Sequence, residues 1–144
     1  MPTYNIFVSH AWSYSERYHG VIKLLNTAKG KFSDFDYVDY SVPAHDPLID
    51  PNEEVGKRKL TELLKAQIAK ASSIIVPAGM YVNHRYWIQK EIDLAKNGFQ
   101  SPKRIISIQH RSQQRSPQSL IELSDVEAKW GSTSLAKAVA GLSD

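Results

Sequence analysis

Short apolar runs alternate with amphipathic stretches along this chain. Residues 4–9 (YNIFVS) are nearly continuous in apolar side chains, as suits a central strand covered on both faces. A helix is predicted next, with Ser13 and Glu16 spaced for a capping box and Tyr18, Val21, Ile22 and Leu25 as its buried stripe. It ends at Lys29-Gly30. Residues 35–40 (FDYVDY) form a second strand, and 41–50 (SVPAHDPLID) a long surface loop with two prolines. Asp50, Pro51 and Glu53 then open a second helix as N-cap, first helical residue and capping-box acid. Its apolar face is Leu60, Leu63, Leu64, Ile68 and Ala71. Residues 73–77 (SIIVP) are a buried third strand. Residues 83–97 (NHRYWIQKEIDLAKN) are an amphipathic helix stopped at Asn97-Gly98. Residues 104–109 (RIISIQ) are a fourth strand, 111–119 a polar loop, and 126–130 a short fifth strand at the edge. Residues 120–125 fit neither period. Residues 134–142 make a closing helix with Leu135, Val139 and Leu142 inward.

Strands alternating with helices predict an α/β fold with a parallel sheet. Five strands in this pattern point to a flavodoxin-like three-layer sandwich of strand order 2-1-3-4-5. Ligands of such sheets bind beyond the carboxyl ends of the strands, where the order reverses between strands 1 and 3. That rule selects residues 9–12, 78–83 and the loop 41–50.

The helix at 83–97 borders the same crevice and carries one unusual residue. At about 100° per residue, Ile88, Ile92 and Ala95 form one stripe with Trp87 and Leu94 on its border. Arg85, Gln89, Lys90, Asp93, Lys96 and Asn97 project away from it. Glu91 is the single charge inside the apolar sector. An inward carboxylate is costly unless it is paired, hydrogen-bonded or open to a cleft. Two readings stand at this point: a glutamate at the stripe's edge, salt-bridged to a neighbouring lysine, or a carboxylate held for chemistry.

Composition narrows the classes. A chain of 144 residues predicts one domain spanning 1–144, and a hydrophobic fraction of 42% supports a packed core. No apolar run approaches the roughly 20 residues that cross a bilayer. The start, MPTYNIFVSHAW, reads as a strand and not as a signal peptide. There are no cysteines, which excludes disulfides and thiolate metal sites. These features together read as a cytoplasmic protein without membrane partners. The net charge of +3 is mild, and neither Lys57-Arg58-Lys59 nor Lys103-Arg104 sits in a nucleic-acid-binding pattern. Such a charge leaves a mild attraction for phosphate-bearing ligands.

Motifs mostly exclude. No GxGxxG follows strand 1, and no GxxxxGK[ST] or GxSxG occurs. The five histidines show no metal-ligand spacing, so no metal is expected. A phospho-receiver needs acids after strand 1 and an aspartate after strand 3. Those places read Ser9-His10-Ala11-Trp12 and Pro77-Ala78-Gly79. What remains is a carboxylate beside aromatic residues, with hydroxyls and His10 opposite. Such a set suits an oxocarbenium-like sugar centre. It fits cleavage of an N-glycosidic bond whose leaving group is already cationic, as nicotinamide is in NAD, because no second acid is then needed. Trp12 and Trp87 could stack on a flat base; for each taken alone, core or interface packing is the favoured reading.

The segments NIFVSHAW, FDYVDYSVPAHDPL, SSIIVPAGMY and YWIQKEIDLAKNG, with the strand 126–130, resemble TIR domains. The resemblance is closer to the TIR-like proteins of the Thoeris antiphage system. It implies a TIR-like, NAD-processing enzyme that breaks the nicotinamide–ribose bond, with NAD as substrate and no cofactor. The pair Trp87 and Glu91 (W-x-x-x-E) corresponds to the helix bearing the catalytic glutamate, and the loop 41–50 to the mobile BB loop. By the same resemblance Ser9, His10, Ala11, Trp12, Tyr81 and Trp87 line the nucleotide site. The product would be an ADP-ribose-derived signal, often cyclic, that reaches a separate effector protein. The loop lacks the arginine-aspartate and proline-glycine pattern of animal and plant TIR domains, so their assembly contacts are not carried over. The alternative is a non-enzymatic TIR-type module that self-associates through the loop 41–50, since fold alone does not establish activity. A third reading is nucleotide binding without turnover.

Overall fold

The structure, a computed structural model, describes residues 3–9, 16–33, 35–40, 54–77, 85–100, 102–109 and 122–141, with the backbone alone for 16–18, 54–57, 59–60 and 85–88. Along the chain run β1 (Thr3–Val8), α1 (Glu16–Lys31), β2 (Asp36–Asp39), α2 (Glu54–Lys70) and β3 (Ser73–Pro77). They are followed by α3 (Arg85–Asn97), β4 (Arg104–Ile108), β5 (Val126–Ala128) and α4 (Ser132–Ala140). The strands form one sheet of order β2-β1-β3-β4-β5, parallel throughout. This is the arrangement the alternation of elements predicts.

Two apolar layers flank the sheet. Strand side chains alternate between faces. Phe7, Ile74, Val76 and Ile105 therefore pack under Leu64 and Ile68 of α2 and Ile92 and Ala95 of α3. Ile6, Val8, Ile75, Ile106 and Ile108 meet Val21, Leu25 and Ala28 of α1 and Leu135, Ala136, Ala138 and Val139 of α4. The run 73–77 is buried along its whole length, as a central strand covered by helices on both sides must be. The crossover helices lie on one face for β1-α1-β2 and on the other for β2-α2-β3 and β3-α3-β4. Right-handed crossovers impose this when the chain reverses direction across β1.

Several boundaries differ from expectation. β1 ends at Val8, but Ser9 still donates its N–H to Ile75 O at 2.8 Å, so the ladder continues past the strand. The closing helix starts at Ser132, two residues early, and stops at Ala140, capped by Gly141, whose φ of 79° is left-handed. A left-handed residue terminates a helix, so Leu142 follows α4 and lies outside the described residues. The ambiguous segment before β5 is explained by long-range contacts. Leu123 packs on the core, Asp125 N–H donates to Ile105 O at 2.8 Å, and Ile105 N–H donates to Asp125 Oδ2 at 2.7 Å. The capping residues Ser13, Asp50, Pro51 and Glu53 and the loop 41–50 lie outside the described residues.

Gly98 closes α3 as the sequence predicts, donating its N–H to Leu94 O at 2.8 Å. A Cβ there would sit 2.7 Å from that same carbonyl oxygen, which is backbone and cannot swing aside. Gly98→Ala is expected to cost about 1–3 kcal/mol by overpacking, read as a lowered urea midpoint. Among the described residues no helix is long and apolar enough to cross a membrane.

Candidate functional site

Among the described residues, two side chains from different elements meet beyond the end of β1. Ser9 ends β1. It shares the face of Phe7, two residues before it, and so points toward α2 and α3. Glu91 comes down from α3, in the second turn after the helix begins at Arg85. Its helical neighbours on the inner stripe, Ile92 and Ala95, are wholly buried, while Asp93 and Asn97 face water. Gln89 Nε2 donates to Asp93 Oδ1 at 3.0 Å on the outer face. The predicted amphipathic division of this helix therefore holds wherever side chains are described.

Glu91 is 2% exposed and Ser9 is fully enclosed. Burial pushes the Glu91 carboxyl up from its ordinary value near 4.5 to about 8; the Ser9 hydroxyl acts the other way, as a donor to the charged form. That donor does not close a hydrogen bond of full geometry. Among the described residues, Ser9 Oγ and Glu91 Oε2 are both buried without a hydrogen-bond partner. The edge reading, with Glu91 salt-bridged to a lysine, is not what the described residues show. Asp36 on β2 is the contrast: Lys29 Nζ lies 3.1 Å away and, by hydrogen bonding, lowers its pKa. A buried carboxyl left with an open acceptor is costly. Functional sites are where such groups gather.

The sheet beneath supplies two further polar side chains. The Ser9 N–H bond to Ile75 O brings Ser9 level with Val76; Val76 pairs with Ser107, and Ser107 with Glu127. A row Ser9, Val76, Ser107, Glu127 thus crosses four strands on the α2–α3 face. Ser107 is fully buried, and its Oγ reaches Val126 O at 3.5 Å, the outer limit of a hydrogen bond. Gln109 Nε2 donates to Glu127 Oε1 at 3.0 Å at the far end of the row. Ser107 was not among the sequence candidates. Its signal was weak: a single serine in an apolar strand, with meaning only once the register across β1, β3 and β4 is known.

Of the residues singled out by sequence, the structure brings Ser9 and Glu91 together. His10, Ala11, Trp12 and Tyr81 lie outside the described residues. Trp87 lies on α3 one turn before Glu91, and its side chain is likewise outside them.

Chemically, the arrangement offers one buried carboxyl, with a hydroxyl beside it and no charged neighbour among the described residues. It can hold a proton at neutral pH, or ionise against a cationic centre brought within reach.

One family matches by its sequence model, described as Thoeris protein ThsB, TIR-like domain. The match covers residues 7–115, well over half of the chain, and includes both Ser9 and Glu91. No curated protein matches the chain.

Proposed function

The chain belongs to the Thoeris ThsB TIR-like family, and from that premise we propose that it is an NAD-processing enzyme with Glu91 as its catalytic carboxylate. The observation that carries this reading is Glu91 itself. It is a glutamate of 2% exposure, without an ion partner among the described residues, turned toward Ser9 at the carboxyl end of β1. Evolution of a purely structural helix has no need of such a group, and an aliphatic side chain would fill the space at lower cost.

The chemistry follows from charge. Nicotinamide in NAD is a cation and departs as a neutral base when the bond from its ring nitrogen to the ribose breaks. Positive charge then moves onto the ribose carbon and ring oxygen. Glu91, ionised against the cation brought within reach, stabilises that charge far better than water does, because the side chain is buried and already positioned. The electron-deficient carbon is finally captured by water, giving ADP-ribose, or by a nucleophile within the same nucleotide, giving a cyclic product. Capture by an internal nucleophile requires that water be excluded, and Phe7, Val76 and Ile92 around the site are wholly buried.

His10, Ala11, Trp12, Tyr81 and Trp87 complete the nucleotide site in this proposal, with Ser9. The biological setting is antiphage defence in the cytoplasm. The nucleotide product would act on a separate effector protein, and the loop 41–50 would serve self-association.

The test is direct. Purified protein is incubated with NAD, with and without lysate of phage-infected cells, and the products are identified by mass spectrometry. Free nicotinamide with ADP-ribose or a cyclic isomer is the expected result. Intact NAD in both arms, with saturable binding only, would reduce the protein to a nucleotide-binding module. Oligomerisation without binding would favour the interaction module.

A further inference from the structure

We propose that Ser9 is a positioning residue for Glu91, its hydroxyl turning onto the carboxylate as that group gives up its proton and holding it aimed at the crevice. This deepens the reading of Glu91 given above, and rests on it for its catalytic consequence.

Three observations carry the inference. Ser9 is pinned, because its N–H is committed to Ile75 O at 2.8 Å, which extends the β1–β3 ladder by one residue. Its hydroxyl is fully enclosed on the same sheet face as α3 and, among the described residues, makes no hydrogen bond. Glu91 Oε2 is likewise buried and unpartnered. Two complementary polar groups on adjoining elements, each buried and each unsatisfied, are the arrangement expected of a bond that forms only in one ionisation state. A protonated carboxyl donates one hydrogen and accepts weakly. A carboxylate accepts strongly and rewards a hydroxyl that turns toward it.

Nothing else described competes for this role. From α2, Leu64 and Ile68 face the layer that holds Glu91. From β1 it is Phe7 and Ser9, from β3 Ile74 and Val76, and from β4 Ile105 and Ser107. None of these side chains is charged; from β5 the same face carries Glu127, which stands three strands from Ser9 and accepts from Gln109 Nε2 through Oε1. Burial raises the Glu91 carboxyl and the Ser9 hydroxyl alone opposes it. Ser107 Oγ is directed to Val126 O. Ser9 is therefore the side chain whose removal changes how readily Glu91 ionises.

The experiment reads ionisation without needing turnover. The protein is labelled with carboxyl-¹³C glutamate, and the Glu91 resonance is assigned by its loss in Glu91→Gln and titrated by NMR. Ser9→Ala is expected to raise the Glu91 midpoint by about one pH unit, the worth of one hydrogen bond to a charged acceptor. Ser9→Thr, which keeps the hydroxyl, should hold the wild-type midpoint. Should the added methyl of threonine unfold the protein, Ser9→Cys replaces it, and its weak donor should place the midpoint between wild type and Ser9→Ala. In the activity assay, the acid limb of kcat/KM for nicotinamide release moves up by the same amount in Ser9→Ala. An unchanged midpoint in folded Ser9→Ala overturns the inference, whatever the enzyme does with NAD. A shifted midpoint in a protein that leaves NAD intact upholds the Ser9–Glu91 coupling and removes the catalytic reading alone.

Discussion

Glu91→Gln is expected to lower nicotinamide release from NAD by at least about 100-fold while leaving the circular dichroism spectrum unchanged. The size of the effect comes from removing a preorganised ionisable group from a buried site, where a single oriented group is worth roughly 10²–10³ in rate. Glutamine has the shape of the protonated acid. It therefore fits the space beside Ser9 and Ile92 without a cavity or a clash, and the loss is specific to charge. The assay is chromatographic measurement of nicotinamide from wild type and variant under conditions where the wild type is active. If the variant keeps pace with such a wild type, Glu91 is not the catalytic carboxylate. The loss should fall on kcat and kcat/KM together, because an oxocarbenium centre exists only in the transition state. A change confined to KM would instead mark Glu91 as a binding residue.

The same substitution should act in the opposite sense on stability. The Glu91 pKa is raised from 4.5 to about 8 in the folded chain. Between those values the unfolded chain has released the proton while the folded chain still holds it. Stability then falls as pH rises, because the native state binds more protons than the unfolded state. The penalty is absent below about pH 4.5, grows through the interval, and is complete above about pH 8. At about 1.4 kcal/mol per unit, the full penalty is on the order of 5 kcal/mol. Glutamine does not titrate and escapes it. Denaturant melts of both proteins from pH 4 to pH 9 should therefore coincide at the acid end and diverge with rising pH, the glutamine variant being the more stable. Parallel curves with no divergence would mean that Glu91 ionises freely in the folded protein. Together the two results describe a residue kept at a cost in stability, the usual mark of a functional group.

One residue of the candidate site, Glu91, was legible in the sequence as an inward-facing charge. Glu91 stood out because a period of 3.6 residues placed it with Ile92 and Ala95, and those residues are buried together as predicted. Local spacing decides such a question, since neighbours three and four apart on a helix share one face whatever lies opposite. The choice between a salt-bridged edge and an enclosed carboxyl was not legible. It depends on which cations approach α3 from other elements, and that is a property of packing. Ser9 was reached through the rule for parallel sheets and through resemblance, but its facing Glu91 was not. That required Ser9 to share the side of Phe7 and α3 to cover the same side. Ser107 was missed for the same reason, because register across β1, β3 and β4 joins residues about a hundred positions apart.

The end of the chain makes the same point about the fold. Residues 120–125 gave no period because their order rests on Leu123 meeting the core and on Asp125 exchanging two hydrogen bonds with Ile105. By itself the sequence determined the kind of each regular element, the parallel sheet and its order, and the inward direction of Glu91. All of these follow from short-range periodicity and from the handedness of crossovers. Tertiary structure alone decided what meets that carboxyl: a pinned serine, an apolar wall, and no compensating charge among the described residues. Partnership and solvent exclusion are set by segments distant in sequence, and no local pattern encodes them.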